Sequence, residues 1–184
     1  MLGDSLTNRT DCTLLGVLLN PPLSTPGNRT RNAVTRAGRV LGYDGVEILN
    51  LFADATRSVV ELNAETVGDG WARTRGELSA GLRSATGVLA AWGVSGMAGA
   101  ARQARDEQVA WLMAEAVQAG VSSFWMVGGE PRHPSRWHQF LSDKYGRTTG
   151  GSFEERLVQS LVAMPVSCPE SNNHRGVPRS SRAR

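Results

Sequence analysis

Lysine is almost absent from this chain. Lys144 is its only lysine, and the other nineteen basic residues are arginine. Cysteine is scarce as well. Cys12 and Cys168 stand far apart, which excludes a disulfide framework and a zinc or iron–sulfur cage built on cysteine. No apolar run approaches the roughly 18 residues of a membrane-spanning helix, and the N-terminus lacks a basic-then-apolar signal pattern. The expectation is a cytoplasmic protein with no membrane partner. Three nucleotide and hydrolase signatures are missing too. There is no G-x-G-x-x-G after the first apolar run, no G-x-x-x-x-G-K-[ST] and no G-x-S-x-G, so neither a dinucleotide fingerprint, a P-loop nor a nucleophile elbow is present. No cofactor is implied, and no metal: His133 and His138 have no third ligand at a usable spacing.

What is there is globular. At 184 residues, 40% hydrophobic and 20% charged, the chain suits one domain with a core of its own. The formal charge of +3 sits in the tail. From residue 165 onward Arg175, Arg179, Arg182 and Arg184 face a single acid, Glu170, leaving sixteen basic against sixteen acidic groups in residues 1–164. The expected organisation is a single α/β domain over 1–164 and a disordered, Arg-rich tail over 165–184, polar and nearly without apolar residues. Residues 1–11 read as a loose polar lead-in.

The apolar pattern alternates between two periods. Unbroken runs at 12–19, 45–52, 87–93 and 121–127 have strand length and read as strands buried on both faces. Between and after them, residues 32–41, 70–84, 100–119 and 152–162 carry apolar residues at helical spacing. Ser152 with Glu155 forms a capping box for the last, and Thr56-Arg57-Ser58 is a possible further helix start. Strand–helix alternation with crossovers of this length predicts a three-layer α/β/α sandwich on a mostly parallel sheet of about four strands.

The polar punctuation falls where each strand ends. Asn20 follows the first strand, Asn50 closes the second ahead of Leu51-Phe52, and Trp92-Gly93 closes the third. The fourth runs into Gly128-Gly129-Glu130-Pro131-Arg132-His133-Pro134-Ser135-Arg136-Trp137-His138. Glycines turn the chain off the strand, and two prolines stiffen the loop beyond them. In an open α/β sheet these carboxyl ends line one crevice. Arg132 and Arg136 suit bidentate bonds to phosphate or carboxylate, and His133 suits a neutral donor or a cation beside an anion. Structural roles compete. Asn20 and Asn50 suit turn capping, and His133 a bond to a carbonyl. Arg132 and Arg136 suit salt bridges to Glu130 or Asp143, and Trp92, Trp125 and Trp137 suit packing. Ser135 and His133, two apart on an extended loop, are expected to point to opposite sides and so not to form a nucleophile–base pair. Asp143-Lys144-Tyr145-Gly146-Arg147 reads as a polar loop able to fold over the crevice.

From Leu15 to Trp137 the chain resembles an uncharacterised bacterial family of unknown function. The motifs are Leu19-Asn20-Pro21, Gly42-Tyr43 with Asn50-Leu51-Phe52-Ala53, Ala91-Trp92-Gly93 and Pro131-Arg132-His133-Pro134. More distantly, the same ends resemble the uracil-DNA glycosylase superfamily, whose fold is a parallel four-stranded α/β/α sandwich. That resemblance implies an Asn20 that positions water, an Asn50 that reads a base edge, and a His133 in His133-Pro134-Ser135 that steadies charge on a pyrimidine carbonyl. Phe52 is implied as the stacking ring, and Ser135 belongs to the same motif. Trp92, Arg132 and Arg136, from their place at the strand ends and their own chemistry, are expected as further ligand contacts. Pro22 replaces the family's glycine, Asn20 stands where active branches carry a carboxylate, and the iron–sulfur branches' four cysteines are missing. Arg136-Trp137-His138 is not the apolar wedge that enters a duplex, and the domain is neutral. The expected function is binding of a nucleobase or nucleotide, with N-glycosidic hydrolysis of a nucleoside, nucleotide or single-stranded nucleic acid as the reaction if the chain is an enzyme. Two other expectations stand beside it: a non-catalytic nucleotide- or nucleic-acid-binding module, and an interaction protein with a degenerate site.

Overall fold

The computed structural model of the chain describes residues 12–22, 28–56, 61–62, 69–94, 96–142 and 150–166. The lead-in, most of the proposed tail, the 143–147 loop and the start at Arg57-Ser58 lie outside these residues. Among the described residues five strands form one sheet: β1 Thr13–Leu18, β2 Gly45–Asn50, β3 Gly87–Ala90, β4 Ser123–Val127 and β5 Leu161–Pro165. Their order is β2-β1-β3-β4-β5. The first four run parallel, and β5 pairs antiparallel with β4 along the edge. Among the described residues the helices with given bounds are α1 Asn28–Leu41, α2 Gly70–Arg73, α3 Arg75–Ser84, α4 Gly99–Gln118, α5 Trp137–Phe140 and α6 Phe153–Ser160, and Glu61 and Leu62 are helical as well.

Both faces of the sheet are covered, because its apolar residues alternate. Leu15, Val17, Val88, Ala90, Phe124 and Met126 pack on one side against Trp71, Leu78, Leu82, Leu112 and Ala116 of α2, α3 and α4. Leu14, Leu18, Leu89 and Val127 pack on the other against Val34 and Ala37 of α1, Trp137 of α5 and Leu157 of α6. Period-two alternation within each strand separates these sets. The helix α1 lies unusually near the sheet: a Cβ on Gly16 would stand 2.8 Å from Val34 Cγ1, so only glycine admits this approach.

Three differences from the sequence pattern have physical causes. The expected last helix stops at Ser160, and Leu161 begins an antiparallel fifth strand, so the sheet has five strands rather than about four. Leu157 and Leu161 fit a helical spacing, which hides the switch. The helix expected over 70–84 divides at Thr74, whose hydroxyl donates to Leu51 O and Trp71 O, both at 2.9 Å. Buried Gln108 of α4 completes that junction, donating to Trp71 O at 2.8 Å and accepting from Arg75 Nε at 2.9 Å. Finally, α1 starts four residues earlier than the expected 32, because its first turn is polar and carries no periodicity. The Ser152–Glu155 capping box forms as the sequence implies.

Candidate functional site

The sheet order places β1 between β2 and β3: the chain steps from β1 to β2 on one side and then crosses back past β1 to β3 on the other. In open α/β sheets the carboxyl ends beside such a reversal flank the ligand crevice. All four sequence-marked ends lie on this side. The ladder continues past the strands: Leu51 N donates to Leu18 O, Phe52 N to Leu19 O and Ala91 N to Val17 O, each at 2.9 Å. Gly93 N donates to Pro131 O at 2.6 Å, and a Cβ on Gly93 would lie 3.6 Å from His133 Cβ. The β3 end and the loop after β4 are thereby joined, with His133 against Gly93.

The loop itself is built on Trp137. That ring is fully buried, and its indole N–H donates to Arg132 O at 2.8 Å. Gly128 and Gly129 both have positive φ, 64° and 72°, a turn that other residues adopt only with strain. His133 then caps a short 3-10 turn, Pro134–Arg136. This turn reverses the expectation for Ser135. Its hydroxyl lies 2.9 Å from His133 Nδ1, and its backbone N–H donates to the same nitrogen at 3.3 Å. The loop is not extended there, so residues two apart meet.

Those two bonds set the chemistry of the ring. A backbone N–H can only donate, so Nδ1 accepts and the neutral imidazole carries its proton on Nε2. No described residue partners Nε2. Burial first, and the Arg136 charge second, hold the His133 pKa below its usual value, so the ring is neutral at pH 7 and offers an Nε2–H donor. The unfolded ring takes up a proton near pH 6.5 while the folded ring resists it, so His133 removes stability as pH falls below about 6.5 and costs nothing above it. His133→Asn keeps a capping acceptor and does not titrate. Chemical denaturation across that range should show a shallower acid loss in the variant; parallel curves would refute the assignment.

The two arginines differ. Arg132 forms an ion pair with Glu130, its guanidinium lies 4.1 Å over the Phe140 ring, and its side chain is 22% exposed. It is committed within the loop. Arg136 is exposed and among the described residues holds only a 3.4 Å bond to Gln139, so of the two it is the less committed cation. The asparagines differ as well. Asn20 Nδ2 donates to Thr56 Oγ1 and Pro21 O, both at 3.1 Å, tying the β1 end to the chain beyond β2. Asn50 shares the α1 face with Val46 and Ile48 by strand alternation, and its Oδ1 is buried without a partner.

Phe52 and Trp92, expected as ligand contacts, are packed as core aromatics. At 2% and 6% exposure both turn into the core, Phe52 on Trp71 at 4.9 Å and Trp92 edge-on to Phe124 at 6.4 Å. Trp92 continues the buried alternation Val88, Ala90, a signal that its position alone carried. What sequence reading missed is Trp71, whose indole N–H is buried and unpartnered beside Phe52.

Among the described residues four buried side-chain polar atoms lack a partner, and three of them, on Asn50, Trp71 and Arg132, belong to the carboxyl-end side of the sheet. Native proteins seldom leave such atoms unmatched. A cavity of about 300 Å³ at the opposite end, lined by Tyr43, Thr86, Gly87 and Trp125 among others, has none: Trp125 Nε1 already donates to the Tyr43 hydroxyl at 3.2 Å. The carboxyl end is the candidate site. Among the described residues no group of three or more His, Cys, Asp or Glu is placed to hold a metal ion, and no helix is long and apolar enough to cross a membrane.

Residues 5–135 match the family model DUF1643, a protein of unknown function. The chain belongs to the DUF1643 family. The matched span contains the four parallel strands and every candidate residue except Arg136, whereas α5, α6 and β5 lie beyond it. No curated protein and no solved structure matches the chain.

Proposed function

We propose that the carboxyl-end crevice binds a nucleobase, and that hydrolysis of an N-glycosidic bond is the reaction it supports best. The observation that carries this reading is the buried, unpartnered Asn50 oxygen. An unmet buried acceptor costs about 1–3 kcal/mol, which a ligand N–H such as that on a base edge recovers. The neutral His133 supplies the complementary donor. Its Nε2–H, held by the two bonds at Nδ1, stabilises negative charge developing on a base carbonyl as the glycosidic bond breaks, in the manner of an oxyanion site. Asn20 spends its amide hydrogens on Thr56 and Pro21, leaving its oxygen to orient a water. Arg136 holds a phosphate. The likeness of these strand ends to the uracil-DNA glycosylase superfamily supports the same assignment, as does the parallel four-stranded part of the sheet.

A second reading has one observation in its favour. No carboxylate follows β1, and an amide orients water without taking its proton. A DUF1643 protein with this strand end is then a nucleotide-binding module without turnover. One experiment addresses both. A thermal-shift series with nucleobases, nucleosides, nucleotides and short single-stranded oligonucleotides is run on wild type and His133→Ala. A ligand at a hundred times its dissociation constant adds about 2.7 kcal/mol. A shift present in wild type and absent in His133→Ala supports the crevice, and base release measured on that ligand separates hydrolase from binder. No shift with any ligand, in a folded protein, refutes the nucleobase reading.

A further inference from the structure

The sixteen-to-sixteen balance of residues 1–164 conceals a segregation. No acidic residue occurs between Asp11 and Asp44, and α1 carries Arg29, Arg31, Arg36 and Arg39 within fourteen residues. On the other face of the sheet most described arginines are matched to acids, the exception being Arg75, which bonds Gln108 and lies over the Trp111 ring. Arg73 pairs with Asp54 and Asp69, Arg83 with Glu115 at 3.4 Å, and Arg102 and Arg105 with Asp106 at 3.7 and 2.8 Å. On α1 only Arg36 is paired, to Glu154 at 3.5 Å with both side chains 46% exposed, a contact that solvent renders weak. Among the described residues Arg29, Arg31 and Arg39 have no ion pair. Two of them are placed unfavourably for the helix itself: Arg29 and Arg31 stand in the first turn, where the helix dipole disfavours cations and no acid is present, whereas Arg39 is in the last turn, which favours one. Arg36 and Arg39 are like charges three apart.

The exposed positions form a line. Arg29, Asn32, Arg36 and Arg39 are spaced three, four and three residues apart and all are exposed, so they run down one face of α1 over about 15 Å. The helix starts at the carboxyl end of β1 and ends at the start of β2, so Arg29 marks the crevice end. The 3-10 turn bearing Arg136 packs against α1. A row this long exceeds one phosphate and matches a chain of them. The inner face of α1, with Ala33, Val34 and Ala37, is buried in the core, so the helix has no apolar face to insert into a bilayer.

We infer that the outer face of α1 is a track for the sugar–phosphate backbone of a single-stranded nucleic acid whose base enters the crevice. This rests on the nucleobase reading and narrows it from free nucleotide to a strand. The test measures anisotropy of labelled single-stranded DNA and RNA oligonucleotides against salt, with poly-glutamate as a second polyanion. It compares wild type, Arg29→Gln/Arg39→Gln on the α1 line, and Arg102→Gln/Arg105→Gln on the opposite face. The α1 variant should bind at least about tenfold more weakly at low salt, with its salt slope shallower by about 0.7 per lost contact, while the opposite-face variant matches wild type. Arg39→Gln alone, at an exposed position far from the crevice, should move both quantities in the same direction. A mononucleotide shift that persists while oligonucleotide binding is absent, or indifferent to α1, overturns the track and leaves the crevice reading standing. Track-dependent binding without any mononucleotide shift sustains the track and removes the crevice from it. Equal binding of poly-glutamate overturns the nucleic acid as partner. The DNA and RNA arms identify the sugar.

Discussion

Trp137→Ala should lower the free energy of unfolding by about 3–5 kcal/mol, the range for deleting a fully buried large aromatic. The ring lies at the centre of the α1-side core with no exposure, so truncation opens a cavity that neighbouring backbone cannot close. It also removes the 2.8 Å bond to Arg132 O, the tie between the core and the loop that presents His133. Trp137→Phe separates the two losses. It keeps most of the volume and forfeits the hydrogen bond, worth about 0.5–1.5 kcal/mol net. Denaturant unfolding with an unchanged m-value measures both. A loss under about 1 kcal/mol in Trp137→Ala would mean that the loop, not the ring, holds this side together.

Gly128→Ala is the second large effect, expected to cost about 2–4 kcal/mol through backbone strain and overpacking together. The backbone there has φ 64°, and the added Cβ would lie 2.3 Å from Phe140 Cζ and 2.7 Å from Cε1. That ring is the platform beneath the Arg132 guanidinium, so displacing it disturbs the loop as well. The neighbouring Gly129 is the internal comparison. Its φ is 72°, yet the nearest atom to its built Cβ is Met164 Sδ at 3.9 Å, so Gly129→Ala carries the backbone cost alone, about 1–2 kcal/mol. The double variant Gly128→Ala/Phe140→Leu should regain part of the loss. Equal costs at the two glycines, read from thermal or chemical unfolding, would refute the steric account.

Which parts of this structure the sequence disclosed depends on whether the cause was local. The strand around Leu14 to Leu18 was legible because it is buried on both faces and needs an unbroken apolar run. The capping box at Ser152 was legible because its two partners are three residues apart. β5 was not, since Leu161 continues the spacing of Leu157 and only pairing with β4 makes a strand of it. The break at Thr74 depends on Leu51 and Gln108, distant in sequence. For the site, the strand-end positions of Asn20, Asn50 and His133 were visible as punctuation. The contacts that distinguish them were not: Thr56 on Asn20, no partner on Asn50 Oδ1, and a turn that folds Ser135 back onto His133. The segregation of arginine onto α1 was visible in the sequence, but net charge averaged it away.

One junction bears on where the folding unit ends. Ser160 closes α6 and Leu161 opens β5 with no connecting residue, and Ser160 O accepts from Gly128 N at 2.7 Å. The first glycine of the site loop is therefore fastened by a segment that enters the sheet well beyond Ser135, where the family match stops. Homology and cooperativity draw different borders on this chain. A fragment cut where the likeness ends would keep every parallel strand, yet it would bare the outer edge of β4 and lose Trp137, Leu141 and Leu157 from beneath α1. Such an edge is a template for pairing with other chains. The piece that looks dispensable by descent is the piece that seals the sheet.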